Sequence, residues 1–265
     1  MKYCLTLILS VLLLTSCKKD KEETIAEDAA TTTQKPAALA FADKVYSKKT
    51  TLPGPEPRTY VDITVPNATG IPVASDSINN KIFRTVRSIV YFGEKPTDAT
   101  SYQELMNSFI ESYDELAKKF PKDAMAWEAK VKGTIDYKTD SIIEIKLHHY
   151  TFTGGAHGYE GDRSLLFNAK TGRSLKYSDI FKDEKAFTAF AEKKFRAKYK
   201  IPAGKNINAT GLMFLDDVFV LPQNIFFKEN GILLYYNAYE AAAYAEQQKE
   251  VLIPYSEADA FLKMK

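Results

Sequence analysis

Cysteine is almost missing from this chain: there are two in 265 residues, Cys4 and Cys17, both at the N-terminal edge. From residue 18 onward the sequence therefore holds no disulfide, no thiolate metal ligand and no cysteine nucleophile. Histidine is nearly as scarce. All three copies, His148, His149 and His157, fall within ten residues of one another. There is one tryptophan, Trp127. No apolar run is long enough to cross a bilayer. The strongest candidate, residues 5–14 interrupted by Thr6 and Ser10, is about half the ~20 residues a spanning helix needs. Charge does not lean either way: 36 Lys and Arg meet 34 Asp and Glu, for a net +2. A near-neutral chain makes no electrostatic case for nucleic acid or an anionic surface. Two nucleophile and phosphate motifs are also absent, the Gly-x-Ser-x-Gly elbow and the glycine-rich phosphate loop. No serine is singled out for a catalytic triad.

What is present begins with an export signal. Lys2 supplies a positive start, the short apolar run follows, and Thr15-Ser16-Cys17 gives way abruptly to Lys18, Lys19 and Asp20. Such a pattern predicts a secretory signal peptide over 1–16. Leu14-Thr15-Ser16-Cys17 also resembles the lipobox of bacterial lipoproteins. That resemblance implies a diacylglyceryl group on the Cys17 thiol, cleavage before it and acylation of the new amine. Each buried CH₂ contributes ~0.8 kcal/mol, so two or more acyl chains hold a protein stably to a membrane. The expected location is the cell envelope, lipid-anchored, on one face or the other of the outer membrane. Residues 18–38 are charged, then rich in Ala and Thr, with few large apolar side chains, and such a segment cannot offset its ordering entropy. Residues 17–38 are thus expected to be a lipidated tether. The charges after Cys17 either mark surface export or only solvate that linker.

The remainder is long enough for one large or two small domains. Strand-like stretches at 39–49 and 58–65 flank a turn region holding Pro53, Gly54, Pro55 and Pro57. Ile78, Ile82, Phe83, Val86, Ile89 and Val90 recur at helical spacing, predicting a helix over 76–90. Ser101 with Glu104 reads as a capping box opening a second helix, which Pro121 ends. The period then changes to two. In 141–151, Ile143, Ile145 and Leu147 share one face, while Glu144, Lys146 and His148 share the other. With 130–138 this predicts antiparallel, half-buried strands. Further on, a strand is expected at 164–169 and a helix over 183–200. A hairpin turns on Asn230-Gly231, whose φ > 0 demand suits these two residues. A final strand at 251–255 leads to a short helix capped by Ser256. The expectation is α+β: two adjoining antiparallel-sheet-plus-helix domains, 39–150 and 151–265.

Three local patterns carry candidate chemistry. Thr153-Gly154-Gly155-Ala156-His157-Gly158 either lets backbone approach a ligand or makes a bulge or tight bend. His148, His157 and Asp162 could bind zinc, whereas His149 continues the apolar face and reads as a satisfied buried histidine. Neighbours on a strand point to opposite faces, so His148 and His149 cannot easily share one ion. Last, Tyr235 to Ala245 is rich in Tyr and Ala with the lone acid Glu240. It is either a recognition surface or a segment that packs its rings on the sheet. The adjacent acids Asp216-Asp217 are common surface residues.

Taken together, Tyr150 to Gly158, Phe167-Asn168, Thr171-Gly172, Asp179-Ile180-Phe181, Gly231 to Glu240 and Val251 to Tyr255 resemble a bacterial extracytoplasmic domain of poorly known function. It is the outer part of the RsiV family of lysozyme-sensing anti-sigma factors. The preceding stretch, a strand ending in Pro66 and a helix carrying Ile78-Asn79, resembles the companion domain found there and in the PdaC family of peptidoglycan deacetylases. The resemblance spans about residues 55–258. It implies lysozyme binding in the first family; in the second, a separate catalytic domain does the chemistry. Ala238 and Gln247 stand where relatives often carry Pro and Gly. The function expected is a non-enzymatic binding lipoprotein for a lysozyme-like protein or a cell-wall glycan, with no cofactor and no nucleic-acid partner. The surface expected combines Tyr150, Gly154, Gly155, His157, Tyr159, Tyr239, Glu240 and Tyr244. The rival is a metal-assisted envelope hydrolase using His148, His157 and Asp162.

Overall fold

A computed structural model describes residues 38–54, 56–92 and 97–265. The export signal, Cys17 and almost all of the expected tether lie outside the described residues. The first sheet is built from β1 (Ala40–Lys49), β2 (Tyr60–Thr69), β3 (Glu128–Lys138), β4 (Ile142–Phe152) and β5 (Tyr159–Asn168), in that spatial order. It is mixed, which corrects the all-antiparallel expectation: β2 and β3 run parallel. The reason lies between them. Two helices, α1 (Pro72–Ile89) and α2 (Tyr102–Lys119), make up the crossover that a parallel pair needs.

Local chemistry sets the helix ends. Helix α1 starts four residues before the expected Asp76, because Pro72 takes its first turn, where a missing N–H costs nothing. Ser101 caps α2 by accepting from the Glu104 N–H. Glu104 reaches back one residue further than the box predicts, to the Thr100 N–H at 2.7 Å. Both helices cover one face of the sheet. Ile78, Ile82 and Val86 of α1 and Leu105 and Phe109 of α2 close over Val61, Ile63, Ile143, Ile145 and Leu147. Asn79 clamps α1 to β2: its side-chain oxygen accepts from Ala68 N and its amide donates to Ala68 O.

The second sheet is β6 (Asn224–Lys228), β7 (Gly231–Tyr236) and β8 (Lys249–Pro254), all antiparallel. A short α3 (Tyr177–Ile180), then α4 (Glu184–Lys198), precede it, and α5 (Tyr255–Ala258) follows. Helix α5 has no side-chain cap; Ser256 sits inside it. Phe187, Ala191 and Phe195 of α4 pack on Ile225, Phe227, Ile232 and Leu234.

This second core also takes in Ile142 and Leu166, from the face of the first sheet that the helices leave bare. Position 150, expected as the end of the first domain, lies inside β4, and β5 continues that sheet to Asn168. The covering sheet changes the fate of β4. Glu144, expected at a solvent face, is fully buried. The outer edge of β5 is closed by two asparagines rather than by a strand. Asn237 accepts from Asp162 N at 2.7 Å and donates to Asp162 O at 3.0 Å, and Asn224 accepts from Ser164 N. Among the described residues no helix is long and apolar enough to cross a membrane.

Candidate functional site

The site lies where β4, β5 and the turn after β7 meet. Past Phe152 the chain bends through Gly154 (φ +101°) and Gly155 (φ +90°) before β5 begins at Tyr159. A side chain at either glycine would meet nothing within 4 Å. These two residues serve the bend rather than a close backbone approach. His157, exposed at the bend, donates from Nδ1 to the carbonyl of Gly158 at 2.8 Å, since a carbonyl can only accept. The Tyr244 hydroxyl donates to the same carbonyl at 3.2 Å. The glycine-rich bend and the Tyr-rich segment therefore do meet on one face.

That meeting produces a ladder of rings. His157 stacks on Tyr244 with centroids 4.1 Å apart and planes 11° from parallel. Tyr244 stacks on Tyr239 at 5.5 Å, and Tyr239 on Tyr159 at 6.4 Å. The Tyr159 hydroxyl donates to Ala238 O. Tyr239 is 58% exposed, so part of its ring reaches solvent. Part of the Tyr-rich segment behaves as core: Tyr236, Ala241 and Ala242 are buried, whereas Ala243 and Ala245 are exposed. The backbone holding the ladder is strained. Tyr239 has φ +69°. Gln247 has φ +55° and ψ −167°, a region essentially reserved for glycine.

Beside the ladder opens a cleft of about 400 Å³ whose walls include His148, Glu160, Asp162, Tyr235, Tyr244 and Gln247. The β4–β5 register sets His148 opposite Asp162. His148 Nδ1 lies 2.9 Å from Asp162 Oδ1, and Nε2 lies 3.2 Å from Glu160 Oε1. Lys146 pairs with the other Asp162 oxygen at 2.9 Å. Asp162 is buried, so it fixes the imidazole, while Glu160 stands exposed at the rim. Burial, with the Asp162 carboxylate beside it, pushes the Tyr235 phenol up. A larger hollow of about 650 Å³, between the β1–β2 loop and the end of α2, gathers none of the candidate residues.

Of the surface expected from sequence, His157, Tyr159, Tyr239 and Tyr244 come together. Tyr150 instead covers Gly158, where an added Cβ would lie 2.5 Å from its ring. Glu240 is spent on the turn, its two oxygens accepting from Gln223 N and Asn237 N. Burial raises its carboxyl. The zinc set does not assemble: His148 pairs with Asp162, but His157 turns into the Tyr244 stack. Among the described residues no three His, Cys, Asp or Glu are grouped to hold a metal ion. His149 is buried as expected, yet neither ring nitrogen has a partner among the described residues. Burial, then the nearby charges of Arg163 and His148, lower its pKa to about 4, so it stays neutral. Asp217 is held by Asn208 on a surface turn. Sequence reasoning missed Glu160, Tyr235, Asn237 and Gln247 as neighbours. The signal for Glu160 was the hairpin register, which needs the bend length to be read.

Residues 55–160 match the family model described as "Deacetylase PdaC", and residues 178–256 match that described as "Protein of unknown function (DUF3298)". Two solved structures share the fold. A DUF3298 family member from Bacteroides fragilis covers 87% of this chain and 96% of its own, at 21% identity and a TM-score of 0.65. A DUF3298 family protein from Pseudomonas aeruginosa covers 86% and 95%, at 18% identity and a TM-score of 0.59. A search of curated proteins finds no match. The chain thus pairs a segment that matches the PdaC model with one that matches the DUF3298 model.

Proposed function

We propose that this pair of segments is a non-enzymatic binding module of the cell envelope, tethered through lipid on Cys17, with a cell-wall glycan as its ligand. The observation that carries the reading is the ladder His157–Tyr244–Tyr239–Tyr159 along the edge of the cleft. Rings stacked in a row expose a strip of apolar edges with polar tips, on which a sugar ring can lay its hydrophobic face. Gln247, Gln248 and Glu160 in the adjoining wall supply hydrogen-bonding groups. A pocket with a few convergent polar groups beside aromatic walls is the usual form of a small-ligand site.

A second reading keeps the surface and changes the ligand to a lysozyme-like protein. The exposed carboxylate of Glu160 at the cleft rim favours it, as does the resemblance to lysozyme-sensing proteins. The metal-assisted hydrolase has lost its argument, because His157 is committed to the ring stack.

Calorimetric titration with cell-wall glycan fragments and, separately, with lysozyme tests the proposal. Tyr239→Ala and Tyr244→Ala should each weaken binding about tenfold, the usual cost of removing a central aromatic anchor. Binding of lysozyme alone selects the second reading. Silence with both ligands removes the proposal.

A further inference from the structure

Behind the ladder lies a second hollow of about 210 Å³, formed by Tyr159, Arg163, Gln223, Tyr239 and Glu240 and sharing Asn237 and Ala238 with the cleft. The 237–239 turn is the ridge between the two. Side chains alternate along β5, so Glu160 and Asp162 face the cleft while Arg163 faces this hollow.

Arg163 is half-buried; Glu240 lies near enough for the two charges to act on each other, but the carboxylates around Arg163 make their hydrogen bonds elsewhere. Asp162 pairs with Lys146 and His148, and Glu160 with His148. The hollow's own acid, Glu240, is turned into the wall, both oxygens holding backbone N–H groups. Arg163 donates from Nη1 to the carbonyl of Asp162 at 3.2 Å, and its fork also reaches the Tyr159 hydroxyl. Other donors of its five-donor planar fork remain for a ligand in the hollow, beside the Tyr159 and Tyr239 rings. A guanidinium in this condition is matched best by a carboxylate, which it can grip with two parallel bonds.

We propose that the Arg163 hollow is a carboxylate subsite, so that the ligand lying on the ring ladder is an acidic saccharide. Its neutral rings lie along the exposed side of the ladder at Tyr244 and Tyr239, and a carboxylate substituent crosses the 237–239 ridge to Arg163. This rests on the glycan reading of the ladder.

The test titrates the full-length chain, purified in detergent, with two tetrasaccharides. One is the neutral N-acetylglucosamine tetramer. The other alternates N-acetylglucosamine with N-acetylmuramic acid, whose lactyl group adds the carboxylate. The acidic tetramer should bind about tenfold more tightly, as a charge-assisted hydrogen bond gives. In Arg163→Gln that ratio should collapse to near one, and in Arg163→Lys it should fall between. In the parent chain free lactate should compete with the acidic tetramer and not with the neutral one. Equal affinities in the parent overturn the subsite and leave the ladder reading standing. So does a preference that survives in Arg163→Gln, or lactate that competes with neither tetramer. If neither tetramer binds the parent chain, the glycan reading and the subsite fall together. If Arg163→Gln binds neither, the lactate competition in the parent decides.

Discussion

Glu144 of the first sheet accepts a 2.7 Å hydrogen bond from the backbone N–H of Phe227 in the second. It is a polar stitch between the two apolar cores. Its other carboxylate oxygen has no partner among the described residues. Burial raises its pKa from 4.5 to about 8; the Phe227 bond and the charges of Lys228 and Lys146 oppose the rise, and Asp136 adds to it.

The pH dependence follows from that direction. The folded chain holds the Glu144 proton more tightly than the unfolded chain does, so stability is full below about pH 4.5. It falls as pH rises toward 8 and then levels off. The loss is on the order of 5 kcal/mol. Glu144→Gln should flatten this part of the profile and be more stable than the parent at pH 8 to 9, as read by denaturant midpoints across pH. Parallel profiles for the two chains would refute it.

Gly172 lies against α1. It has φ +67°, its carbonyl accepts from Ser77 Oγ at 2.8 Å, and an added Cβ would come within 2.3 Å of Ala74 O. Gly172→Ala should therefore cost more than conformational strain alone, roughly 2 kcal/mol or more. Gly154→Ala, with a positive φ but open space, should cost only about 1 kcal/mol. Equal losses in urea unfolding would contradict the close packing.

Gln247 occupies glycine's part of conformational space without being glycine. Gln247→Gly should raise stability by about 1 kcal/mol, from relief of that strain, visible as a higher melting temperature. An unchanged or lower melting temperature would show that its side chain contributes more than its backbone costs.

The anchor has its own test. Cys17→Ser, expressed with its signal, should move the exported protein from the membrane fraction to the soluble one. Two acyl chains hold a protein stably where none remains once the thiol is gone. Retention in membranes would remove the lipid from the proposal.

Much of this architecture could be read residue by residue. The period-2 runs marked β3 and β4, the helical stripe marked α1, Ser101 marked the start of α2, and Asn230-Gly231 marked the β6–β7 hairpin. Each signal is local: it depends on side chains a few positions apart and on which residues tolerate which dihedrals. The scarcity of cysteine likewise settled that no thiol chemistry operates beyond residue 17. What the sequence could not decide was every relationship that closes over a long stretch of chain. The parallel pairing of β2 with β3 spans two helices. The burial of Glu144 depends on a sheet that begins some eighty residues later. The pairing of His148 with Asp162 depends on a register set by the bend between them. Arg163 looked like any charged strand residue until tertiary packing assigned the neighbouring acids to other partners. Period and turn chemistry act within a few residues. Which face is covered, and by what, is settled only when the two cores come together.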